Sequence, residues 1–157
     1  MPRTLEGLLG DHVFFAGLDP TYLSLLAGCA KNVVVPGEGF LFREGEQADK
    51  FFLIRDGRLA LEVAAPGRRP ITVQTLAVDD VVGFSWLAGR QHQWQFDGWV
   101  TERIHALELD GACLRGKCEA DPKLGYELMR RFAELASERL QVTRLQMLDV
   151  YGHANLR

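Results

Sequence analysis

Residues 36–61 read PGEGFLFREGEQADKFFLIRDGRLAL, and the punctuation of this stretch decides the fold class. Glycines at 37, 39, 45 and 57 separate short apolar runs, Phe40–Arg43, Phe51–Arg55 and Leu59–Ala64. Runs this short, rich in Phe, Leu, Ile and Val and bounded by turn residues, read as strands. Asp56-Gly57 predicts a two-residue hairpin joining Phe51–Arg55 to Arg58–Val63, because a type I′ turn needs positive φ at both central positions. The same texture extends outward. Asn32–Val35 precedes the stretch, while Ile71–Leu76 and Val81–Phe84 follow it, with Gly67 and Gly83 as further breaks. Pro66-Gly67 ahead of Arg68-Arg69-Pro70 marks an exposed reversal, and Trp94–Thr101 with Arg103–Leu109 completes the strand set. The fold expected is mainly β with flanking helices: an antiparallel β-roll of the double-stranded-helix or jelly-roll kind, over about residues 32–110.

Both ends read as helix. Asp19-Pro20 supplies an N-cap and a proline at the first helical position, where its missing N–H costs nothing, so short helices are expected over about residues 5–31. Asp121-Pro122 repeats that device, and Gly125 is the only glycine from there to Tyr151. A helix over about 121–151 would be ~45 Å long at 1.5 Å per residue, more than a small roll can cover. Leu124, Leu128, Phe132 and Leu135 form one stripe able to pack on the roll. Ala136, Leu140, Thr143, Met147 and Val150 then follow in 4-3-4-3 spacing, a coiled-coil seam that predicts a homodimer interface. Arg130-Arg131, Arg139 and Arg144, interleaved with Glu127, Glu134 and Glu138, read as the solvated side of this helix.

A chain of 157 residues is one domain's worth, so 1–157 reads as a single unit. Its 18 Lys plus Arg against 21 Asp plus Glu give a net charge of -3, which disfavours a nucleic-acid-binding surface. No apolar run approaches the ~20 residues of a membrane helix, and the first residues do not form a signal peptide. The expected location is the cytoplasm. Cys29, Cys113 and Cys118 are an odd set without metal-ligand spacing, expected as small buried hydrophobes in a reducing compartment. No nucleophile elbow, P-loop, HExxH or Cys/His array is present, so the chain is not expected to be an enzyme and no metal site is expected.

Residues 36–61 resemble the first half of a cyclic nucleotide-binding domain of the catabolite activator protein and fumarate-nitrate regulator superfamily. FFAGLDPTYLSLLAGCAKNVVV, residues 14–35, is similar to that family's lead-in helices and first strand. ELMRRFAELASERLQVTRLQMLDV, residues 127–150, is similar to its long dimerisation helix. The resemblance implies a phosphate-binding cassette with the pattern Gly-Glu-x-Ala/Gly-Leu, then about ten residues, then Arg-Ser/Thr-Ala. In such a cassette the Glu accepts from the ribose 2′-OH, and the Arg with helix N-terminal N–H groups holds the cyclic phosphate. Here the segment is Gly83-Phe84-Ser85-Trp86-Leu87. Gly83 and Leu87 match, but Phe84 stands at the Glu position. Aligning HQWQFDGWVTERIHALEL, residues 92–109, on the last strand puts Gln95 at the phosphate Arg, followed by Phe96 and Asp97. Losing two charge-assisted hydrogen bonds and adding a carboxylate predicts an affinity for cyclic AMP or cyclic GMP lower by several orders of magnitude.

Phe84, Trp86, Trp94, Phe96 and Trp99 crowd the same segment. They would either line a pocket for an apolar or planar ligand, with Ser85, His92, Gln95 and Asp97 as polar anchors, or fill the vacated cavity. The candidate ligand-binding set is therefore Gly83, Phe84, Ser85, Trp86, Leu87, Trp94, Gln95, Phe96 and Asp97. The cofactor is left open. Residues 1–28 lack the cysteines of the family's iron–sulfur members, and a haem would fall to Pro2 and His92. After the helix only residues 151–157 remain, too few for a DNA-reading domain. The expected function is that of a stand-alone regulatory or sensor domain with a diverged cassette, binding a non-nucleotide small molecule and signalling through a dimer helix to a protein partner. The alternatives are a ligand-free dimeric assembly module and a weak, atypical cyclic nucleotide binder.

Overall fold

The computed structural model describes residues 3–84 and 93–155. Helix α1 (Leu5–Asp11) is capped by Thr4, whose Oγ1 accepts from the Gly7 N–H at 3.1 Å. A 3-10 turn (Val13–Phe15) leads to α2 (Pro20–Ala27), where Asp19 Oδ1 accepts from the Thr21 N–H at 2.8 Å, the cap expected of Asp19-Pro20. Among the described residues six strands follow: β1 (Ala30–Val35), β2 (Gly39–Phe42), β3 (Lys50–Val63), β4 (Ile71–Leu76), β5 (Val81–Val82) and β6 (Asp97–Asp110). Two helices close the described chain, α3 (Gly111–Ala120) and α4 (Pro122–Asn155). Every pairing among the described strands is antiparallel. β6 lies between β1 and β3, β3 between β6 and β4, with β2 on β6 and β5 on β3. This is the mainly β roll with flanking helices expected from the turn punctuation.

The central strands depart from expectation. Asp56-Gly57 makes no hairpin: β3 runs through it for 14 residues, and its register against β6 shifts between Ile54 and Asp56 and again between Asp56 and Arg58. Gly57 has φ +97°, and a Cβ there would lie 2.0 Å from the Arg103 carbonyl oxygen. Positive φ serves a bulge as well as a turn, and here the flanking runs pair with β6 and β4 rather than with each other. In the same way Trp94–Thr101 and Arg103–Leu109 are not two strands, since Asp97–Asp110 is continuous. The hairpin at Pro66-Gly67 is present, with Val63 opposite Ile71 and the Arg68 N–H donating to the Ala65 carbonyl at 3.1 Å.

Long strands buried on both faces create two cores. Phe51, Leu53, Leu107 and Leu109 face the helices and share a cluster with Leu9, Phe15, Leu26, Leu124, Leu128 and Phe132. Phe52, Ile54, Ile104 and Ala106 face the inside of the roll with Phe42, Leu59, Val82, Trp94 and Val100. The period of two along each strand sends neighbours to opposite clusters, which is why Phe51–Ile54 reads as an unbroken apolar run.

Helix α4 starts at the Asp121 cap, whose Oδ1 accepts from the Lys123 and Leu124 N–H groups. Leu124, Leu128 and Phe132 are buried and Leu135 is half-buried. Its 34 residues span about 51 Å. Along the later turns of α4, Leu140 and Met147 are 51% and 52% exposed, and Ala136 and Thr143 are exposed too. Residues 111–120, for which the sequence announces no element, form the ten-residue α3, which has little apolar periodicity. One further expectation fails. Cys29 and Cys113, expected as free thiols, are joined in a disulfide with Cα atoms 5.6 Å apart. Their separation of 84 residues leaves no local signature, and only the close of β6 onto β1 brings them together.

Candidate functional site

The cassette segment begins where β5 ends. Gly83 has φ +93°, and a Cβ there would stand 2.3 Å from the Lys50 carbonyl oxygen and 2.6 Å from Trp94 Cη2. Only glycine fits that backbone under that indole. Phe84 then turns away from the roll interior and packs with the helix-side cluster, its ring 5.6 Å from the Phe132 ring. The Arg139 guanidinium lies 5.6 Å from the Phe84 ring centre on its face and donates to the Val81 carbonyl. Burial lowers the Arg139 pKa while Asp80 opposes that. The sequence pattern places this arginine on a solvated helix face. Instead it ties α4 to the strand end from which the cassette starts. Arg131, read the same way, donates to the Phe14 carbonyl at 2.7 Å. Arg130 does keep the surface pattern, paired with Glu127 at 3.0 Å and Glu134 at 3.4 Å.

Trp94 goes inward. Its ring stacks on Phe42 with centroids 3.7 Å apart and planes 9° from parallel, near Phe52, and the side chain is 9% exposed. Its backbone is clamped to the 44–47 turn. The Trp94 N–H donates to the Glu46 carbonyl and the Gly45 N–H donates to the Trp94 carbonyl, both at 2.9 Å. Asp97 Oδ1 accepts from the Glu44 N–H at 2.8 Å, so this carboxylate closes the same turn. Gln95 is exposed and donates to the Gln93 carbonyl at 3.1 Å. Phe96 is 36% exposed, and Trp99 stands edge-on to Phe40 at 4.8 Å. The described aromatics thus divide among three surroundings: Phe84 toward α4, Trp94 inside the roll, Phe96 and Trp99 toward the outside. Ser85, Trp86, Leu87 and His92 lie outside the described residues, as does Pro2. Of the seam residues, Ala136, Leu140, Thr143 and Met147 share the uncovered part of α4, and Val150 lies on the same helix.

Two structural contributors carried little sequence signal. Arg139 is one among several helix arginines, and only the fold aims it at Phe84. His12 is 5% exposed, accepting from the Phe14 N–H at Nδ1 (3.1 Å), with Nε2 3.2 Å from the Ile54 carbonyl. Those partners require a neutral ring with the proton on Nε2, and burial holds its pKa below the usual value despite Asp79 and Asp80 nearby. Among the described residues no three His, Cys, Asp or Glu side chains group to hold a metal. None of the described helices is long and apolar enough to cross a membrane.

Two long bulged strands, a left-handed Gly83 just after β5 and a long terminal helix define an antiparallel β-roll with helices at both ends. The chain belongs to the cyclic nucleotide-binding domain family, whose model matches residues 33–121. It is 23% identical over 146 residues to the CRP-like cAMP-activated global transcriptional regulator of Mycobacterium tuberculosis, covering 93% of this chain and 63% of that protein. The chain therefore spans less than two thirds of that curated relative. In fold it is similar to a cyclic nucleotide-binding domain from Methylobacillus flagellatus (TM-score 0.76, 17% identity, 92% of this chain and 80% of that one). It is also similar to the Thermus thermophilus catabolite activator protein (TM-score 0.68, 19% identity, 85% and 61%).

Proposed function

We propose that this chain is a non-enzymatic, cytoplasmic regulatory domain whose cassette has left cyclic nucleotide binding and whose output runs through α4. The observation that carries the reading is the pair Phe84 and Trp94. Phe84, at the position of the ribose-binding Glu, is packed against Phe132 and Arg139 of α4. Trp94 overlies Gly83, where a sugar or phosphate would approach the backbone. Asp97 is already committed to the Glu44 N–H and adds negative charge where a phosphate would sit. A ligand for this roll is a planar or apolar small molecule that stacks with Phe42 and Trp94 or displaces the indole. Any such change is felt at Phe84 and so at α4, which is how occupancy would bias the helix.

The exposed seam of Leu140 and Met147, with Ala136 and Thr143, supports a homodimer that presents α4 to a protein partner. One observation favours a second reading. The Phe42–Trp94 stack fills the roll with the protein's own rings, as a ligand-free assembly module would. Calorimetry with cyclic AMP and cyclic GMP, alongside tryptophan fluorescence in a screen of planar metabolites, separates these cases. The sensor reading expects no micromolar nucleotide binding and a saturable fluorescence change with a non-nucleotide compound. Micromolar cyclic AMP binding would overturn the diverged cassette and leave the atypical-binder reading. Silence to every compound would favour the assembly module.

A further inference from the structure

Cys29, between α2 and β1, is bonded to Cys113 in the first turn of α3, and the junction is built around that bond. The Asp110 N–H donates to the Cys29 carbonyl at 3.0 Å. Asp110 Oδ2 accepts from the Cys113 N–H at 3.0 Å, and Oδ1 accepts from Lys50 Nζ at 3.1 Å. The Gly111 N–H donates to the Asp49 carbonyl at 2.8 Å. On its other side α3 packs on α4, where a Cβ added at Gly125 would lie 3.2 Å from the Cys118 carbonyl oxygen. Leu26, Leu114, Leu124 and Leu128 join all three helices in one cluster. Helix α3 is thus the joint between the roll and the long helix, and the disulfide bolts it to the N-terminal helices. The bond is also asymmetric: Cys29 is 8% exposed, while Cys113 is half-buried.

We propose that Cys29–Cys113 is a reversible thiol–disulfide site, reacting with small thiols of the glutathione class, that sets how firmly α3 and the first turns of α4 are held. The thiolate of the small molecule attacks Cys113 Sγ, forming a mixed disulfide and releasing Cys29 as a thiolate that takes a proton. A second thiol attacks the small-molecule sulfur of that mixed disulfide, releasing Cys113 as a thiol and a small-molecule disulfide. Two thiols are oxidised to one disulfide, and the protein pair gains two electrons and two protons. The reverse exchange closes the bond. Cys118 stays outside this chemistry, since burial, with Asp121 and Glu119 adding to it, pushes its thiol pKa up and leaves little thiolate. That such a bond is responsive rather than permanent rests on the cytoplasmic placement proposed above.

The test equilibrates the full chain across ratios of reduced to oxidised glutathione, alkylates free thiols for mass spectrometry, and follows amide hydrogen exchange in parallel. The expected count is one free thiol on the oxidised side and three on the reduced side, two appearing together. With them, exchange in Gly111–Ala120 and in residues 122–132 should rise by about tenfold, within the usual range of coupling between sites. Cys29→Ser with Cys113→Ser should exchange like the reduced chain at every ratio. Cys118→Ser should leave the midpoint unchanged. The wild-type titration involves no substitution, so it stands even if the double variant fails to fold. Three free thiols at every ratio, or bond opening without faster exchange in α3 and α4, overturns the proposal. Finding the protein outside the cytoplasm overturns that placement alone.

Discussion

Trp94→Ala is the most direct probe of what occupies the roll. The indole is 9% exposed, stacked on Phe42 at 3.7 Å and pressed over Gly83. A buried Trp removes about 150–250 Å² from water, which at about 25 cal/mol per Å² is ~4–6 kcal/mol as an upper bound. Alanine keeps part of that area and the surroundings partly collapse, so the expected loss is about 3–5 kcal/mol. Small domains have only about 5–15 kcal/mol in total, so the shift in urea midpoint is large and easily read by far-ultraviolet circular dichroism. The vacated space is lined by Phe42 and Phe52 and is apolar, so it should accept indole. Indole at about a hundred times its Kd recovers about 2.7 kcal/mol. A loss under about 1 kcal/mol with an unchanged urea slope refutes the claim that this ring fills the roll. Full destabilisation without any indole rescue refutes the claim that the space stays open to planar ligands.

Gly57→Ala should cost about 3 kcal/mol or more, because its Cβ meets the Arg103 carbonyl oxygen at 2.0 Å on a left-handed backbone; a near-neutral urea midpoint would show that β3 and β6 can separate there. Leu140→Glu with Met147→Glu should convert a dimer to monomer in sedimentation equilibrium with little change in monomer stability, since both side chains are exposed in one chain; a monomeric wild type would remove the seam reading. His12 is neutral when folded and its pKa is lowered, so below about pH 6.5 the unfolded chain binds more protons and stability falls with pH until the folded pKa is passed. The drop in Tm between about pH 7.5 and about pH 5.5 should therefore be smaller in His12→Gln, and an equal drop would mean that the ring is not buried neutral.

Much of the site's chemistry was legible before any fold was known, because it rests on side-chain identity. Phe84 cannot accept from a ribose hydroxyl and Gln95 cannot neutralise a phosphate, whatever surrounds them. Where these side chains point was not legible. Alternation along Trp94–Trp99 is compatible with one aromatic wall, yet the clamp on the 44–47 turn sends Trp94 inward and leaves Phe96 outside. Arg139 looked like its neighbours on a charged helix face until the docking of α4 placed it over Phe84.

By itself the sequence determined much of the punctuation: the breaks at Gly37, Gly67 and Gly83 separate strands, Asp-Pro pairs set two helix starts, and stripe spacing divided α4 into a buried and an exposed part. These are local matters of φ, capping and period, which a few residues decide among themselves. Tertiary structure decided whatever needed a distant partner. Asp56-Gly57 became a bulge because β6 lay across it. Cys29 met Cys113 across 84 residues because β1 pairs with β6. The roll interior received an indole because the turn at Gly45 holds Trp94 over Gly83. Pairing and packing across the chain carry no local signature, so only the folded arrangement could settle them.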